Sequence, residues 1–137
     1  MPRLKATLTF DGGSRGNPGA AYGSYLIESR GSSTPLHRLA RLEFGCGTNN
    51  EAEYLALLAG LRDVQASLAG VAIPTEDVEL TIRGDSQLIL RQVGGEWKVK
   101  DPRMRRLCFE AQRLLQPFGR VLLRHQPRSR TVRQLGH

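Results

Sequence analysis

The sequence predicts an α/β protein with a mixed five-stranded sheet flanked by helices, in the element order βββαβααβ. Two observations support this class. Apolar residues alternate with period two in three successive segments and then recur at helical spacing. The later strand-like segments are separated by helical ones, and strands joined through helices imply a mixed sheet that helices cover.

Three strand-like segments open the chain. Residues 4–11 alternate apolar and polar side chains and stop at Gly12-Gly13. Residues 20–29 follow a turn-rich stretch, and residues 36–44 alternate again. We expect these segments to form a three-stranded antiparallel meander.

Helical spacing first appears in residues 50–69, where leucine and valine recur every three or four positions. Residues 78–83 then have strand character, and a short helix follows them. A further helix is predicted to begin with Asp101 as its N-cap and Pro102 at its first position. Residues 121–123 form the last predicted strand, and an arginine-rich tail comes after it.

Length and composition predict a single domain over residues 1–137. The chain is 39% hydrophobic and 24% charged, as expected for a globular protein. It shows no export signal and no apolar run long enough to cross a membrane. Cys46 and Cys108 lie outside any metal-ligand spacing and are expected to be reduced thiols. Together these observations predict a cytoplasmic location. A formal charge of +7 and a pI near 10.2 favour nucleic acid as the partner.

Three acidic residues occupy positions where a mixed α/β sheet would bring them together. Asp11 ends the first predicted strand, Glu53 lies in the first turn of the first helix, and Asp85 follows the fourth strand. Each also has a purely structural interpretation. Asp11-Gly12 suits a hairpin turn, Asp85 suits a helix N-cap, and Glu53 suits a variant of the capping box.

Three sequence blocks, taken together, resemble the core motifs of the type 1 ribonuclease H family. They are TFDGGSRGNPG at residues 9–19, TNNEAE at residues 48–53 and GDSQ at residues 84–87. Their order and spacing match the family over nearly the whole chain, and the family's fold agrees with the element order above. The short connection at residues 94–97 resembles the branch that lacks a long basic protrusion.

This resemblance implies an endonuclease that cleaves the RNA strand of RNA/DNA hybrids with two Mg²⁺ ions, for which Mn²⁺ can substitute. Asp11, Glu53 and Asp85 match the metal-binding acids, with Asp11 bridging the ions. Three clustered carboxylates repel one another unless a cation is present, which supports that assignment. Glu51 points about 200° away from Glu53 on a helix, so Glu53 is the expected ligand.

The resemblance also assigns contacts with the hybrid. Asn17, Asn49 and Gln87 match residues that recognise 2′-hydroxyls in the minor groove, and glycines such as Gly12 and Gly13 would allow the backbone and the phosphodiester to approach each other. Thr48 matches a phosphate-holding residue, and it also suits helix capping with Glu51. A buried anchor is the alternative role for Trp97. The expected substrate-binding residues are Gly12, Gly13, Asn17, Thr48, Asn49, Asn50, Gln87, Trp97, Lys98 and Lys100.

The end of the chain departs from the family pattern. The family's fourth acid follows the last strand, whereas no acid follows Glu110 here, and the family's C-terminal helix is expected to be missing or truncated. Gln134, Leu135 and His137 are the nearest candidates for the vacant position, with His137 the expected metal ligand. His125 matches a proton-shuttling histidine, with a structural role as its alternative. An active monomeric nuclease is expected, and a hybrid-binding domain without activity is the alternative.

Overall fold

The computed structural model describes residues 2–31 and 35–136. Within them a five-stranded sheet has the order β3-β2-β1-β4-β5. The strands are β1 (Leu4–Arg15), β2 (Gly19–Arg30), β3 (His37–Gly47), β4 (Val78–Gly84) and β5 (Arg120–His125). The helices are α1 (Asn49–Gly70), α2 (Gln87–Val93), α3 (Pro102–Leu115) and α4 (Arg128–Leu135), with one 3₁₀ turn at Thr75–Asp77. The predicted α/β class is confirmed.

The sheet is mixed because its two halves are connected differently. β1, β2 and β3 follow one another through short connections and pair antiparallel, whereas β4 and β5 each come after a helix and pair parallel, β4 with β1 and β5 with β4. The central strand β1 buries alternate residues in the hydrophobic core, among them Leu4, Leu8 and Phe10. Asp11 belongs to the other alternate set of β1 residues, whose side chains point to the opposite face of the sheet.

Helix α1 is the main cover of the sheet. Its N-cap Thr48 forms a capping box with Glu51, in which each side chain accepts a hydrogen bond from the other residue's backbone N–H. Leu57 and Leu61 are fully buried against the sheet, and each such side chain stabilises the fold by roughly 1.5–3 kcal/mol. The first turn of α1 is thus held firmly at one end of the sheet.

The first strand is longer than the sequence predicted. β1 does not stop at Gly12-Gly13 but continues to Arg15, and Asp11 pairs with Ser24 inside the β1–β2 ladder instead of ending the strand. The reason is tertiary, because β2 pairs with β1 along its whole length, up to the Arg15–Ala20 pair. Glycine lowers strand propensity, but ladder pairing overrides that preference here.

A fourth helix follows β5, where the predicted element order had none and where the family's C-terminal helix was expected to be missing or truncated. α4 covers Arg128–Leu135, packs against β1 and β2, and buries Thr131 and Leu135. Arg41 of β3 holds its C-terminal end by donating a hydrogen bond from Nη2 to the carbonyl oxygen of Leu135, at 3.0 Å. None of the helices in residues 2–31 and 35–136 combines the length and the hydrophobicity that a membrane span requires.

Candidate metal centre

The parallel pairing of β1 and β4 brings two of the three acids together. The last paired residues of this ladder are Thr9 and Arg83. Asp11 lies two residues beyond that pair within β1, and Asp85 lies two residues beyond it, directly after the parallel strand β4. They therefore occupy equivalent positions at the carboxyl end of the ladder, where ligands commonly bind in α/β sheets.

Glu53 reaches these carboxylates because α1 packs unusually close to β1. A Cβ atom at Gly12 would lie 2.4 Å from the carbonyl carbon of Ala52 and 2.6 Å from the backbone nitrogen of Glu53. Only glycine permits this contact between strand and helix backbones. At Gly13 a Cβ would lie 2.6 Å from the hydroxyl oxygen of Tyr22, the end of a side chain that could move away. Gly12 thus has a structural function within the chain.

The three carboxylates form a tight, largely buried cluster. One oxygen each from Asp11, Glu53 and Asp85 lies within 4.8 Å of the other two, and the exposed fractions of Asp11 and Glu53 are 4% and 8%. Burial, followed by the negative charges of Asp11 and Asp85, raises the pKa of Glu53 to about 9. Without a cation, Glu53 is therefore protonated at neutral pH.

The cluster fits a hard divalent cation. Oε2 of Glu53 is buried and makes no hydrogen bond, and the buried Oδ2 of Asp85, also without a hydrogen bond, has an ion-pair contact at 3.7 Å with Nη1 of Arg128. Buried polar atoms normally have a partner, and converging carboxylate oxygens are what Mg²⁺ and Mn²⁺ bind. Glu51 does not take part, because it caps α1 and accepts a hydrogen bond at 3.0 Å from Nη1 of Arg103. Helical spacing predicted this difference between the two glutamates.

Asp85 is not the N-cap of α2. That position belongs to Ser86, whose side chain accepts a hydrogen bond from the backbone of Ile89. The structural alternative for Asp85 is therefore wrong, and its carboxylate remains available to the cluster.

The last residue of β5 and the first residue of α4 border the cluster on the side of Asp85. Nε2 of His125 lies 3.1 Å from the carbonyl oxygen of Asp85. Nη1 of Arg128, the first residue of α4, lies 3.7 Å from Oδ2 of the same residue. Sequence reasoning did not place Arg128 here, although its position three residues after His125 on the strand next to β4 could have indicated it.

The three candidates for the position of the missing acid, Gln134, Leu135 and His137, differ in what the structure shows of them. Leu135 is fully buried and apolar, so it is excluded as a ligand. The side-chain oxygen of Gln134 accepts a hydrogen bond at 2.9 Å from Nε2 of Gln126, which also binds Thr131. His137, the predicted metal ligand, lies outside the described residues.

Several predicted substrate-binding residues share one groove of about 780 Å³. The backbone N–H of Asn49 donates to the side-chain oxygen of Asn17 at 2.9 Å, and Oδ1 of Asn49 accepts from the backbone of Ser14 at 2.7 Å. These bonds tie the β1–β2 turn to the start of α1. The groove is lined by Asn17, Thr48, Asn49, Asn50 and Glu51 and, from the start of α3, by residues that include Arg103 and Arg106. Both arginines were missed by the motif comparison.

The remaining predicted contacts lie elsewhere. Gln87 is the exposed first residue of α2. Trp97, Lys98 and Lys100 are all exposed in the loop between α2 and α3. Trp97 keeps 44% of its surface exposed, so the alternative that it is a buried anchor is wrong.

Fold and site together define a class of α/β protein in which three carboxylates cluster at the end of a mixed sheet as a candidate cation site, with a polar groove at the starts of α1 and α3. The sequence profile of the reverse transcriptase-like family matches residues 10–132. The crystal structure of RNase H1 from the halophilic archaeon Halobacterium salinarum superimposes with a TM-score of 0.77 at 34% identity, covering 94% of this chain and 90% of that one. The chain belongs to the type 1 ribonuclease H family, within this reverse transcriptase-like group.

Other relatives agree with this assignment. LC11-RNase H1 in complex with an RNA/DNA hybrid has a TM-score of 0.79 and 32% identity, covering 93% of this chain and 89% of that one. Ribonuclease HI of Halobacterium salinarum is 40% identical over 90% of this chain. A bifunctional protein of Mycobacterium tuberculosis is 37% identical over 94% of it. The chain spans 57% and 33% of the lengths of these last two proteins.

Proposed function

We propose that this protein hydrolyses the RNA strand of RNA/DNA hybrids in a reaction that depends on a divalent metal ion. The observation that carries the proposal is the cluster of Asp11, Glu53 and Asp85 at the carboxyl end of the β1–β4 ladder. The halobacterial relative is named Ribonuclease HI, and LC11-RNase H1 was crystallised with a hybrid bound. Both support the same activity for this chain.

Asp11, Glu53 and Asp85 would hold the divalent cation, Mg²⁺ or Mn²⁺. When bound, such cations would supply an activated water and would neutralise charge on the scissile phosphate. The water oxygen bonds to phosphorus, the bond from phosphorus to the ribose O3′ breaks, and O3′ takes a proton. The products are a 5′-phosphate and a 3′-hydroxyl.

Arg128 at the start of α4 and His125 at the end of β5 contribute charge and proton transfer in this proposal. Arg128 provides positive charge at Oδ2 of Asp85, on the side where the family's fourth acid would add negative charge. His125 is exposed, with Nε2 close to the carbonyl oxygen of Asp85, and it carries a proton between the site and solvent. An imidazole suits this role because its ordinary pKa lies near neutrality.

The groove beside the cluster would distinguish RNA from DNA. Asn17 and Asn49 are already joined by a hydrogen bond, and the amide group of Asn50 would add a donor and an acceptor for ribose 2′-hydroxyls. Gln87, outside this groove at the start of α2, would contribute a further amide. Thr48 would contact a phosphate of the DNA strand, and Trp97, Lys98 and Lys100 would follow that strand further along. Such contacts do not depend on base sequence.

Cleavage of labelled substrates tests the proposal. The hybrid should be cut in Mg²⁺ or Mn²⁺, whereas duplex DNA of the same sequence should stay intact. Asp11→Asn should abolish cleavage and leave hybrid binding largely unchanged. Glu76→Gln, which alters an exposed acid before β4, at the opposite end of that strand from Asp85, should keep full activity. Binding of the hybrid without cleavage in either metal would instead favour a binding domain that lacks activity.

A further inference from the structure

A second groove, of about 390 Å³, lies on the face of the sheet that points away from α1. Lys5 and Thr7 line it, and they belong to the alternate set of β1 side chains opposite to Leu4, which faces the core. Arg130 of α4 also lines the groove, so this helix forms one of its walls. The sheet therefore lies between this groove and helix α1, whose first turn borders the larger groove.

Positive charge predominates in this second groove. Its charged lining residues are Lys5, Arg30, Arg83, Arg130, Glu28 and Glu79. Glu79 already pairs with Lys5 and with Arg120, at 3.9 and 3.6 Å. Within residues 2–31 and 35–136 the three arginines form no ion pair, and neither does Glu28. The three guanidinium groups are therefore available to an anionic ligand, opposed by one unpaired carboxylate.

The pairing of β4 with β5 extends the basic surface beyond the groove. Arg124 pairs with Arg83, and Arg120 pairs with Glu79, so these side chains project from the same face of the sheet. Both β5 arginines are exposed. They lie four positions apart on one strand, which separates their Cα atoms by about 13 Å. A basic surface of this length suits a chain of phosphate groups better than a single phosphate.

The uncharged part of the groove suits a ribose. Thr7 and Thr81 pair across the β1–β4 ladder, and both line the groove. Glu28 pairs with Thr7 from the other side, and its ionised carboxylate can only accept hydrogen bonds. A carboxylate repels phosphate but accepts a hydrogen bond from a 2′-hydroxyl, which RNA has and DNA lacks. None of the described lining residues is aromatic, so the groove fits the backbone of a nucleic acid and not its bases.

We propose that this second groove and the β5 arginines bind the ribose–phosphate backbone of single-stranded RNA. Phosphates would contact Arg30, Arg83 and Arg130, and a 2′-hydroxyl would donate to Glu28. A single strand can bend into a groove of this size, whereas a stiff double helix cannot. The inference goes beyond the proposed function, because this surface needs neither the carboxylate cluster nor cleavage.

Binding measurements in a chelator test this proposal. A short fluorescent single-stranded RNA is titrated with the protein alone and with protein that already holds one equivalent of an unlabelled blunt hybrid. The RNA should bind in both cases, because the two grooves are separate. Its log affinity should fall with log salt at a slope of about −2, from about 0.7 for each of three phosphates. DNA of the same sequence should bind about threefold more weakly, the low end for one lost hydrogen bond.

Paired substitutions separate this surface from general electrostatic attraction. The double variant Arg83→Gln with Arg130→Gln should weaken RNA binding, flatten the salt slope by about 1.4 and keep the affinity for the blunt hybrid. Arg62→Gln with Arg113→Gln removes the same charge from two exposed arginines on α1 and α3, and it should bind RNA as wild type does. Glu28→Ala should bind the RNA and the DNA equally.

Two results would overturn the proposal. One is displacement of the RNA by a single equivalent of hybrid, because both ligands would then share one groove. The other is an equal loss of RNA affinity in the two double variants, because the attraction would then depend on net charge alone. Failure of the blunt hybrid to bind would instead contradict the proposed function, while the titrations of the protein alone would still decide whether the second groove binds RNA.

Discussion

Arg128 and Asp85 form an ion pair at the edge of the carboxylate cluster, with 3.7 Å between Nη1 and Oδ2. The arginine side chain is 70% exposed, whereas that of Asp85 is only 8% exposed. A cation therefore already contacts one of the proposed metal ligands from the solvent side. It also lowers the pKa of Glu53, against the larger effects that raise it. Arg128 thus competes with any metal ion for the same negative charge.

Removing this competitor should strengthen metal binding in the absence of substrate. For Arg128→Ala we expect Mn²⁺ to bind about threefold more tightly by calorimetry, the size typical of an exposed charge pair. Cleavage should nevertheless become slower, since the arginine contributes charge when the scissile phosphate is present. Arg133→Ala, on the same helix, is the control. Unchanged or weaker Mn²⁺ binding in Arg128→Ala would show that Arg128 does not compete with the metal ion for Asp85.

Glu53 should destabilise the metal-free protein as the pH rises. Its pKa in the folded state is about 9, above the ordinary value of 4.5, so between these values the folded state holds a proton that the unfolded state has lost. Stability from this group is then fully present below pH 4.5 and falls by up to about 1.4 kcal/mol per pH unit until pH 9.

Glu53→Gln should remove that pH dependence. In urea unfolding with a chelator, the free energy of unfolding of Glu53→Gln relative to wild type should increase as the pH rises from 4.5 to about 9. The free energy of unfolding of Glu76→Gln should depend on pH as that of wild type does. A relative stability that stays constant with pH would mean that Glu53 is not held protonated in the folded protein.

Gly12→Ala should disrupt both the fold and the site. The added methyl group would lie 2.4 Å from the carbonyl of Ala52, so α1 must shift away from β1, at a cost of about 1–3 kcal/mol. Glu53 moves with the helix, and Mn²⁺ binding should weaken. Gly70→Ala is the control, because a Cβ there meets nothing within 4 Å. Normal metal affinity in Gly12→Ala would show that the close packing does not position Glu53.

The two functions of Thr48 can be separated by substitution. Thr48→Ala should lower the free energy of unfolding by about 1 kcal/mol through loss of the capping box, and it should weaken hybrid binding if the hydroxyl contacts phosphate. Thr48→Ser keeps the hydroxyl and should restore both properties. Loss of stability without loss of hybrid affinity in Thr48→Ala would leave capping as its function.

The sequence predicted the acids of the cluster because motif spacing and strand order both depend on local patterns. Asp11 and Asp85 follow strands that the period-two pattern reveals, and helical periodicity distinguishes Glu53 from Glu51. The length of β1 escaped prediction for a tertiary reason. β1 extends past its glycines because β2 pairs with it, and the length of that pairing is not encoded in β1 alone.

Helix α4 and Arg128 were missed for a related reason. The helix has only eight residues, three of them arginine, so its apolar positions Val132 and Leu135 are too few to show a period. The charge partner of Arg128 is 43 positions away in the chain, by the difference of the two residue numbers. A contact of this kind follows only from the parallel placement of β5 beside β4.

The close packing of Gly12 on the first turn of α1 has a practical consequence. Asp11 lies on the central strand β1, Asp85 directly follows the parallel strand β4, and Glu53 lies on the buried helix α1. All three acids therefore belong to elements that form the core of the fold. Local unfolding at the ends of helices therefore cannot separate the three carboxylates while the core remains folded. Catalysis and tertiary structure should disappear at the same denaturant concentration, so a simple activity assay would report the unfolding midpoint.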